Sequence, residues 1–311
     1  MPVDPYARRF LDRLAALNPR GAASLSVLER RDALQALLQF SGPRLPVGRV
    51  EHRCLPGAAG ELPLRLYTPA DAPSELLPGL IYFHGGGLIA GSLDTHDGIC
   101  RSLTAASRCR VIAVDYRLAP EHPFPAAVED AYAATHWIAA HAPDFGVDAA
   151  RLAVGGDSAG ATLAATVCQR AATDPTLHLA LQLLLCPILD HGAQTLSRRS
   201  FAQGYFLDQA TLDHDDRYYL AAGVDPTDPR ISPLRAHDLS AVAPACIHTA
   251  QFDPVRDEGA DYAERLRLAG VPTTYHCHSG MIHLFYGMGR LIPYAATAYE
   301  LIGSEIRARF G

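Results

Sequence analysis

The sequence predicts an α/β architecture: a mostly parallel central sheet flanked by helices, with a helical cap drawn from the N-terminus and from one insertion. Three observations carry this expectation. Short apolar runs alternate with helix-compatible segments over most of the chain, the pattern of strands joined by crossover helices. Two of those runs lead straight into glycine-rich turns, His84-Gly85-Gly86-Gly87 and Gly156-Asp157-Ser158-Ala159-Gly160. The first forty-odd residues instead carry apolar side chains at helical spacing.

Taken in order, Phe10, Leu11, Leu14 and Leu17 predict a first helix that Asn18-Pro19 breaks, and Leu34, Leu37 and Leu38 predict a second. Arg49–Cys54 and Leu62–Tyr67 read as two antiparallel strands opening the sheet. Strands then follow at Leu80–Phe83, Val111–Val114, Leu152–Val154, Ala180–Leu185, Ala245–Ala250 and Thr273–His278. Pro125–His141 and Glu258–Ala269 are the clearest intervening helices, the latter stopped by Gly270. The stretch from Gly192 to Val224 breaks the rhythm, and long insertions in compact domains are often lids. Residues 1–311 are therefore expected to form a single domain, with residues 1–45 and about 190–225 as cap segments over the site.

Chemistry enters at the turns. Gly156-Asp157-Ser158-Ala159-Gly160 follows the apolar run Leu152-Ala153-Val154 and precedes an Ala-rich helical stretch. Small neighbours permit a sharp strand-to-helix turn that pushes the Ser158 hydroxyl outward. A nucleophilic serine needs a base, a group to orient that base, and donors for the developing oxyanion. Gly85, Gly86 and Gly87 bare the backbone after the strand Leu80–Phe83, so N–H groups can approach a substrate carbonyl oxygen. Asp253 follows the strand Ala245–Ala250, where open α/β sheets carry functional groups. Asp257 competes, but Asp257-Glu258 reads as the acidic first turn of the next helix. His283 is expected on a loop after the last strand, whereas His276 and His278 lie within it.

In these residues the chain resembles the hormone-sensitive-lipase-like (bacterial family IV) carboxylesterases of the α/β-hydrolase fold. The matching blocks are His84-Gly85-Gly86-Gly87, Asp115-Tyr116-Arg117-Leu118-Ala119-Pro120-Glu121, Gly156–Gly160, Asp253-Pro254-Val255-Arg256-Asp257-Glu258-Gly259 and His283. The order Ser158, Asp253, His283 is that of an α/β-hydrolase triad. The resemblance implies Ser158 as nucleophile, His283 as general base and then acid, and Asp253 as its orienting group. Gly86, Gly87 and Ala159 would supply oxyanion N–H groups, with the choice of two among Gly85, Gly86 and Gly87 left open. Two positions depart from the family's commoner pattern: Leu88 and Cys186 stand where aromatics are usual. Leu88 and the insertion residues Phe201, Tyr205, Phe206 and Leu207 are expected at the substrate pocket. Asp157 and the Asp115–Glu121 block are expected to be structural, with ion pairs among Asp115, Arg117, Glu121 and their neighbours.

Composition bounds the function class. With 49% hydrophobic and 19% charged residues the chain can bury a large core. A net charge of −6 argues against a nucleic-acid surface. Seven cysteines, an odd count without C-x-x-C spacing, favour reduced thiols and a cytoplasmic setting. No run is long and apolar enough to cross a bilayer. His276-Cys277-His278 lacks the partners of a metal site, and no phosphate-loop pattern follows the three glycines. No cofactor and no metal are expected. The expected activity is serine carboxylesterase action on short- to medium-chain esters, with a small-molecule ester as partner and a homodimer through an exposed last strand in view. The alternatives are a non-catalytic ligand-binding protein of the same fold and a hydrolase of amides or lactones.

Overall fold

The computed structural model describes residues 1–17, 21–57, 59–73 and 75–311. The expected break at Asn18-Pro19 lies outside the described residues, as do the side chains of Leu17 and Leu38. Eight strands among the described residues form one sheet: β1 (Arg49–Gly57), β2 (Gly60–Thr68), β3 (Leu77–Phe83), β4 (Arg110–Val114), β5 (Val147–Asp157), β6 (Leu181–Leu185), β7 (Ala245–Phe252) and β8 (Thr273–Ile282). Their order is β1-β2-β4-β3-β5-β6-β7-β8. β2 runs antiparallel to β1 and to β4, and the other neighbours are parallel.

Parallel neighbours require crossovers. These are α3 (Asp97–Ser107), α4 (Ala126–Ala140), α5 (Ala159–Ala171), the pair α6 (Leu196–Ser200) and α7 (Gln209–Tyr219), and α8 (Arg256–Leu268). The central strands β3, β4 and β6 read as apolar runs because both faces are covered. Ile81 and Phe83 on β3 and Ile112 and Val114 on β4 join one core. Their alternates Leu80, Tyr82, Val111 and Ala113 join the other. The second core also takes in residues of α1 (Pro5–Leu17) and of the C-terminal α9 (Tyr294–Phe310).

The N-terminal helices and the insertion meet each other. Phe10 of α1 packs on Phe206 with ring centroids 5.6 Å apart. Arg30 of α2 (Val27–Ala36) pairs with Asp215 of α7 at 3.3 Å, and His214 bonds the Leu25 carbonyl at 3.0 Å. Arg31, also on α2, grips the main body through the carbonyls of Ile89 and Ala119 and the Glu121 carboxylate. No helix among the described residues is long and apolar enough to cross a membrane.

Most strand bounds shift by a few residues, and three differences from expectation matter for the site or the core. β5 extends from Val147 to Asp157, well beyond Leu152–Val154, because its flanks pair with β3 and β6. β8 runs to Ile282, beyond the expected end at His278, so the loop that carries His283 is a short turn directly after the strand. α3 escapes sequence reasoning because Gly98, Ser102, Thr104 and Ser107 weaken its helical signature; Thr104 and Ser107 are buried against carbonyls one turn back.

Candidate active site

Ser158 stands between β5 and α5 with φ 53° and ψ −121°, a conformation that costs free energy for any residue bearing a side chain. Its own N–H donates to the Leu185 carbonyl at 2.8 Å, which pins the turn to β6. The flanking glycines are steric necessities. A Cβ at position 160 would overlap the carbonyl oxygen of Phe83, and one at 156 would overlap the backbone of Gly160. The serine can therefore be held this tightly only where α5 begins in contact with β3.

The hydroxyl meets an imidazole. His283 Nε2 lies 3.0 Å from Ser158 Oγ, and His283 Nδ1 lies 2.7 Å from Asp253 Oδ2. All three residues are buried. Asp253 Oδ1 accepts the Val255 N–H at 3.0 Å, which fixes the carboxylate just past β7. A carboxylate on Nδ1 holds the proton on that nitrogen, so the lone pair of Nε2 faces the hydroxyl. Asp257 is engaged elsewhere, with Arg256 and the Ser197 N–H. Cys186 Sγ belongs to the same cluster, within 4.8 Å of the ligand atoms of Asp253 and His283. Burial, and then the Asp253 charge, push its thiol pKa well up, so it stays protonated.

The glycine segment is braced from below by Asp157. Its Oδ1 accepts the Gly85 N–H at 3.0 Å and the Tyr82 hydroxyl at 2.6 Å, and Oδ2 lies 3.3 Å from His96 Nε2. Burial alone would raise this carboxyl, but the His96 imidazole and the Tyr82 hydroxyl bring it below its ordinary value. His84 stacks on Tyr116 with ring centroids 4.4 Å apart, and the Tyr116 hydroxyl donates to the His84 carbonyl at 2.6 Å. Burial, aided by His96, drops the His84 pKa to about 3. Gly85 thus has its N–H committed to Asp157. The N–H groups of Gly86, Gly87 and Ala159 have no acceptor among the described residues, and all three residues line the cavity beside Ser158 and His283.

That cavity has a volume of about 80 Å³. Its sheet side is formed by Gly85, Gly86, Gly87, Ser158, Ala159 and His283, and its other side by residues of α2, α7 and the segment before α7. Asp215 on α7 presses so closely on Gly87 that a Cβ there would overlap its carboxylate. A bare carboxylate at that place would oppose a developing oxyanion. Arg30 at 3.3 Å and His214 at 3.0 Å stand against its charge, and burial raises its pKa.

The expected pocket residues divide. Phe206 and Leu207 line the cavity. Phe201 and Tyr205 do not: both pack on Phe252, Tyr205 in a stack with centroids 5.5 Å apart. Leu88 does not line it either. It is 1% exposed at φ 62° and lies in the core with Ile89 and Ala90. The left-handed backbone turns this side chain away from the path that the three glycines suggest. In the Asp115–Glu121 block the pairs run to other partners: Arg117 to Asp130 at 2.8 Å and Glu121 to Arg31 at 2.7 Å. Sequence reasoning missed Arg30, His96, His191, Thr211 and Asp215, none of which belongs to one of the sequence motifs.

Residues 80–287 match the family model described as alpha/beta hydrolase fold. The chain belongs to the α/β-hydrolase family. Within it this hydrolase falls in the hormone-sensitive-lipase-like group. It is 45% identical to the carboxylic ester hydrolase LipN of Mycobacterium tuberculosis, over 98% of this chain and 83% of that one. It is 37% identical to an arylesterase of Saccharolobus solfataricus, over 93% of this chain and 94% of the other. A solved ester hydrolase from the metagenome of Lake Arreo superposes with a TM-score of 0.96 at 41% identity, covering 99% of both chains. The hydrolase is a carboxylic ester hydrolase, as expected, which sets aside the alternative of a non-catalytic binder.

Proposed function

We propose that this hydrolase cleaves short- to medium-chain carboxylic esters by two-step acyl transfer, with Ser158 as nucleophile, His283 as base and then acid, and Asp253 as the orienting carboxylate. The reading rests on one observation above all: the imidazole of His283 bridges Ser158 Oγ at 3.0 Å and Asp253 Oδ2 at 2.7 Å. Ser158 Oγ attacks the ester carbonyl carbon as its proton passes to His283 Nε2. The tetrahedral oxyanion then collapses, the C–O bond to the alcohol breaks, and His283 returns the proton to the leaving oxygen. Water deprotonated by the same nitrogen cleaves the acyl-enzyme and restores the serine. Asp253 stabilises the imidazolium that forms in each half.

The oxyanion donors in this reading are the N–H groups of Gly86, Gly87 and Ala159. The commitment of the Gly85 N–H to Asp157 supports this choice. Such donors contribute a few kcal/mol each in other hydrolases, roughly 3–4 per donor removed.

Chain-length preference follows from volume. The 80 Å³ cavity at Ser158 suits a short acyl chain. A second cavity of about 550 Å³, bounded by α1 and α2, shares Ala22, Arg30, Leu34 and Phe206 with it and offers room for a longer arm. Residues 1–45 and about 190–225 act as the cap over this site, a role supported by the Arg30–Asp215 pair and the Phe10–Phe206 contact. Seven free cysteines, five of them buried, suit the cytoplasm, and the open edge of β8 suits pairing with a second copy.

Stoichiometric reaction with an arylphosphonate, followed by peptide mass mapping, tests the assignment. The expected result is one phosphonyl group per chain on Ser158. A label on any other residue, or none with ester turnover intact, overturns it.

A further inference from the structure

Polar atoms buried without a partner are rare in folded proteins, and each calls for an explanation. Three of the seven such side-chain atoms among the described residues sit on residues lining the one small cavity at Ser158: Arg30 Nε, Thr211 Oγ1 and His191 Nε2. Thr211 is 2% exposed, and the His191 side chain 5%. None of the three is idle through misplacement, because each residue is anchored by its other groups. Thr211 N–H donates to Asp208 Oδ1 at 2.7 Å, Arg30 Nη2 reaches Asp215, and His191 Nδ1 bonds Asp216 Oδ1 at 2.7 Å.

We infer that this wall is a hydrogen-bonding subsite for a neutral hydroxyl group on the substrate, so that hydroxylated esters are preferred over plain alkyl esters. The inference rests on the esterase reading of Ser158 and deepens it by naming a substrate class.

The chemistry of the three atoms selects the group. Arg30 Nε carries a hydrogen and can only donate. His191, with its Nδ1 proton directed at Asp216, presents a lone pair on Nε2 and can only accept. Thr211 Oγ1 can do either. A hydroxyl both donates and accepts, so its chemistry matches both the Arg30 donor and the His191 acceptor; a carbonyl oxygen would leave the imidazole lone pair unmatched. Charge excludes a carboxylate. Asp215 and Asp216 both line the cavity against the single guanidinium of Arg30, so an anionic arm would meet net repulsion. The apolar lining from Leu34, Ile188, Phe206 and Leu212 accounts for the rest of a small substrate.

The hydroxyl can arrive on the acyl or on the alcohol arm of the ester, and matched pairs separate the two. Ethyl butyrate is compared with ethyl 3-hydroxybutyrate, and propyl butyrate with 2-hydroxypropyl butyrate, each kcat/KM divided by the rate of alkaline hydrolysis of the same ester. The hydroxylated member of at least one pair is expected to be favoured by about tenfold, the effect of one or two well-placed hydrogen bonds. Thr211→Val should lower that preference roughly three- to tenfold, whereas Thr211→Ser, which keeps the hydroxyl, should retain it. No preference in either pair means that the three atoms hold water only and overturns the inference; so does a preference that survives Thr211→Val. The wild-type ratio decides the question even where a variant does not fold. Turnover of plain and hydroxylated esters alike, without discrimination, leaves the esterase reading standing; failure on all four esters would count against that reading instead.

Discussion

The two walls of the active-site cavity differ in which polar groups they leave free: backbone N–H groups of Gly86, Gly87 and Ala159 on one, side-chain atoms on the other. On the sheet side, Asp253 is bonded by His283 and Val255, Asp157 by Gly85, Tyr82 and His96, and the Ser158 N–H by Leu185. Apart from the Gly86, Gly87 and Ala159 N–H groups, which this reading gives to the oxyanion, these groups are committed inside the protein, which holds the reacting atoms in one geometry before substrate arrives. On the opposite side, Arg30, Thr211 and His191 keep a side-chain atom unspent each. The contrast separates what every ester shares from what distinguishes one ester from another. A wall that must always do the same chemistry leaves free only the donors that every ester needs, and a wall that selects leaves bonds for one kind of ligand to make.

Substitutions on the sheet wall should hurt all esters alike, beginning with the serine. Ser158→Ala is expected to lower kcat by several orders of magnitude, about 10³–10⁶-fold, with the fold retained, as measured by steady-state kinetics beside circular dichroism. Full activity in the pure variant would remove the nucleophile from the account. Asp157→Asn loosens the seat of Gly85 without touching the reacting atoms. A loss of roughly tenfold to a hundredfold in kcat is expected, equal for plain and hydroxylated esters. A loss confined to one ester class would blur the distinction between the walls.

Leu88→Trp asks whether the residue after the glycines faces the substrate. Because Leu88 is buried in the core, an indole there should overpack it and cost about 1–3 kcal/mol of stability in urea unfolding. The ratio of butyrate to octanoate turnover should not move. A shifted chain-length profile would return Leu88 to the pocket.

The smallest expected effect concerns pH. His84 and His278 both have pKa values lowered to about 3, in each case first by burial and then by a neighbouring imidazole. Unfolded histidine takes up a proton near pH 6.5, so between that value and about 3 the unfolded chain binds more protons than the folded one. Stability should therefore be full above pH 6.5 and decline as pH falls toward 3. Thermal melts from pH 8 to pH 4 should show it, with a shallower decline in His278→Asn. An unchanged slope in that variant would contradict the assignment.

Much of the sheet wall was legible in the sequence because its parts are local. A strand, a turn and a helix start occupy consecutive residues around Ser158, and the glycines at 156 and 160 by themselves declare a close backbone approach. The order of Ser158, Asp253 and His283 carried the rest. The cap wall was illegible for the converse reason. Arg30 and Asp215 are 185 residues apart, and nothing in either neighbourhood names the other. Aromatic content misled as well: Phe201 and Tyr205 find their partner in Phe252, since an aromatic in a lid packs wherever a ring is offered. The left-handed turn at Leu88 is likewise set by the path of the backbone, which side-chain type does not announce.

Time-resolved mass spectrometry of the enzyme mixed with 4-nitrophenyl butyrate tests the central claim most directly. A transient mass gain equal to one butyryl group, located on Ser158 and prolonged in His283→Ala, is the result this account expects. An acyl group trapped on another side chain, or steady turnover with no acylated species in either protein, would contradict it.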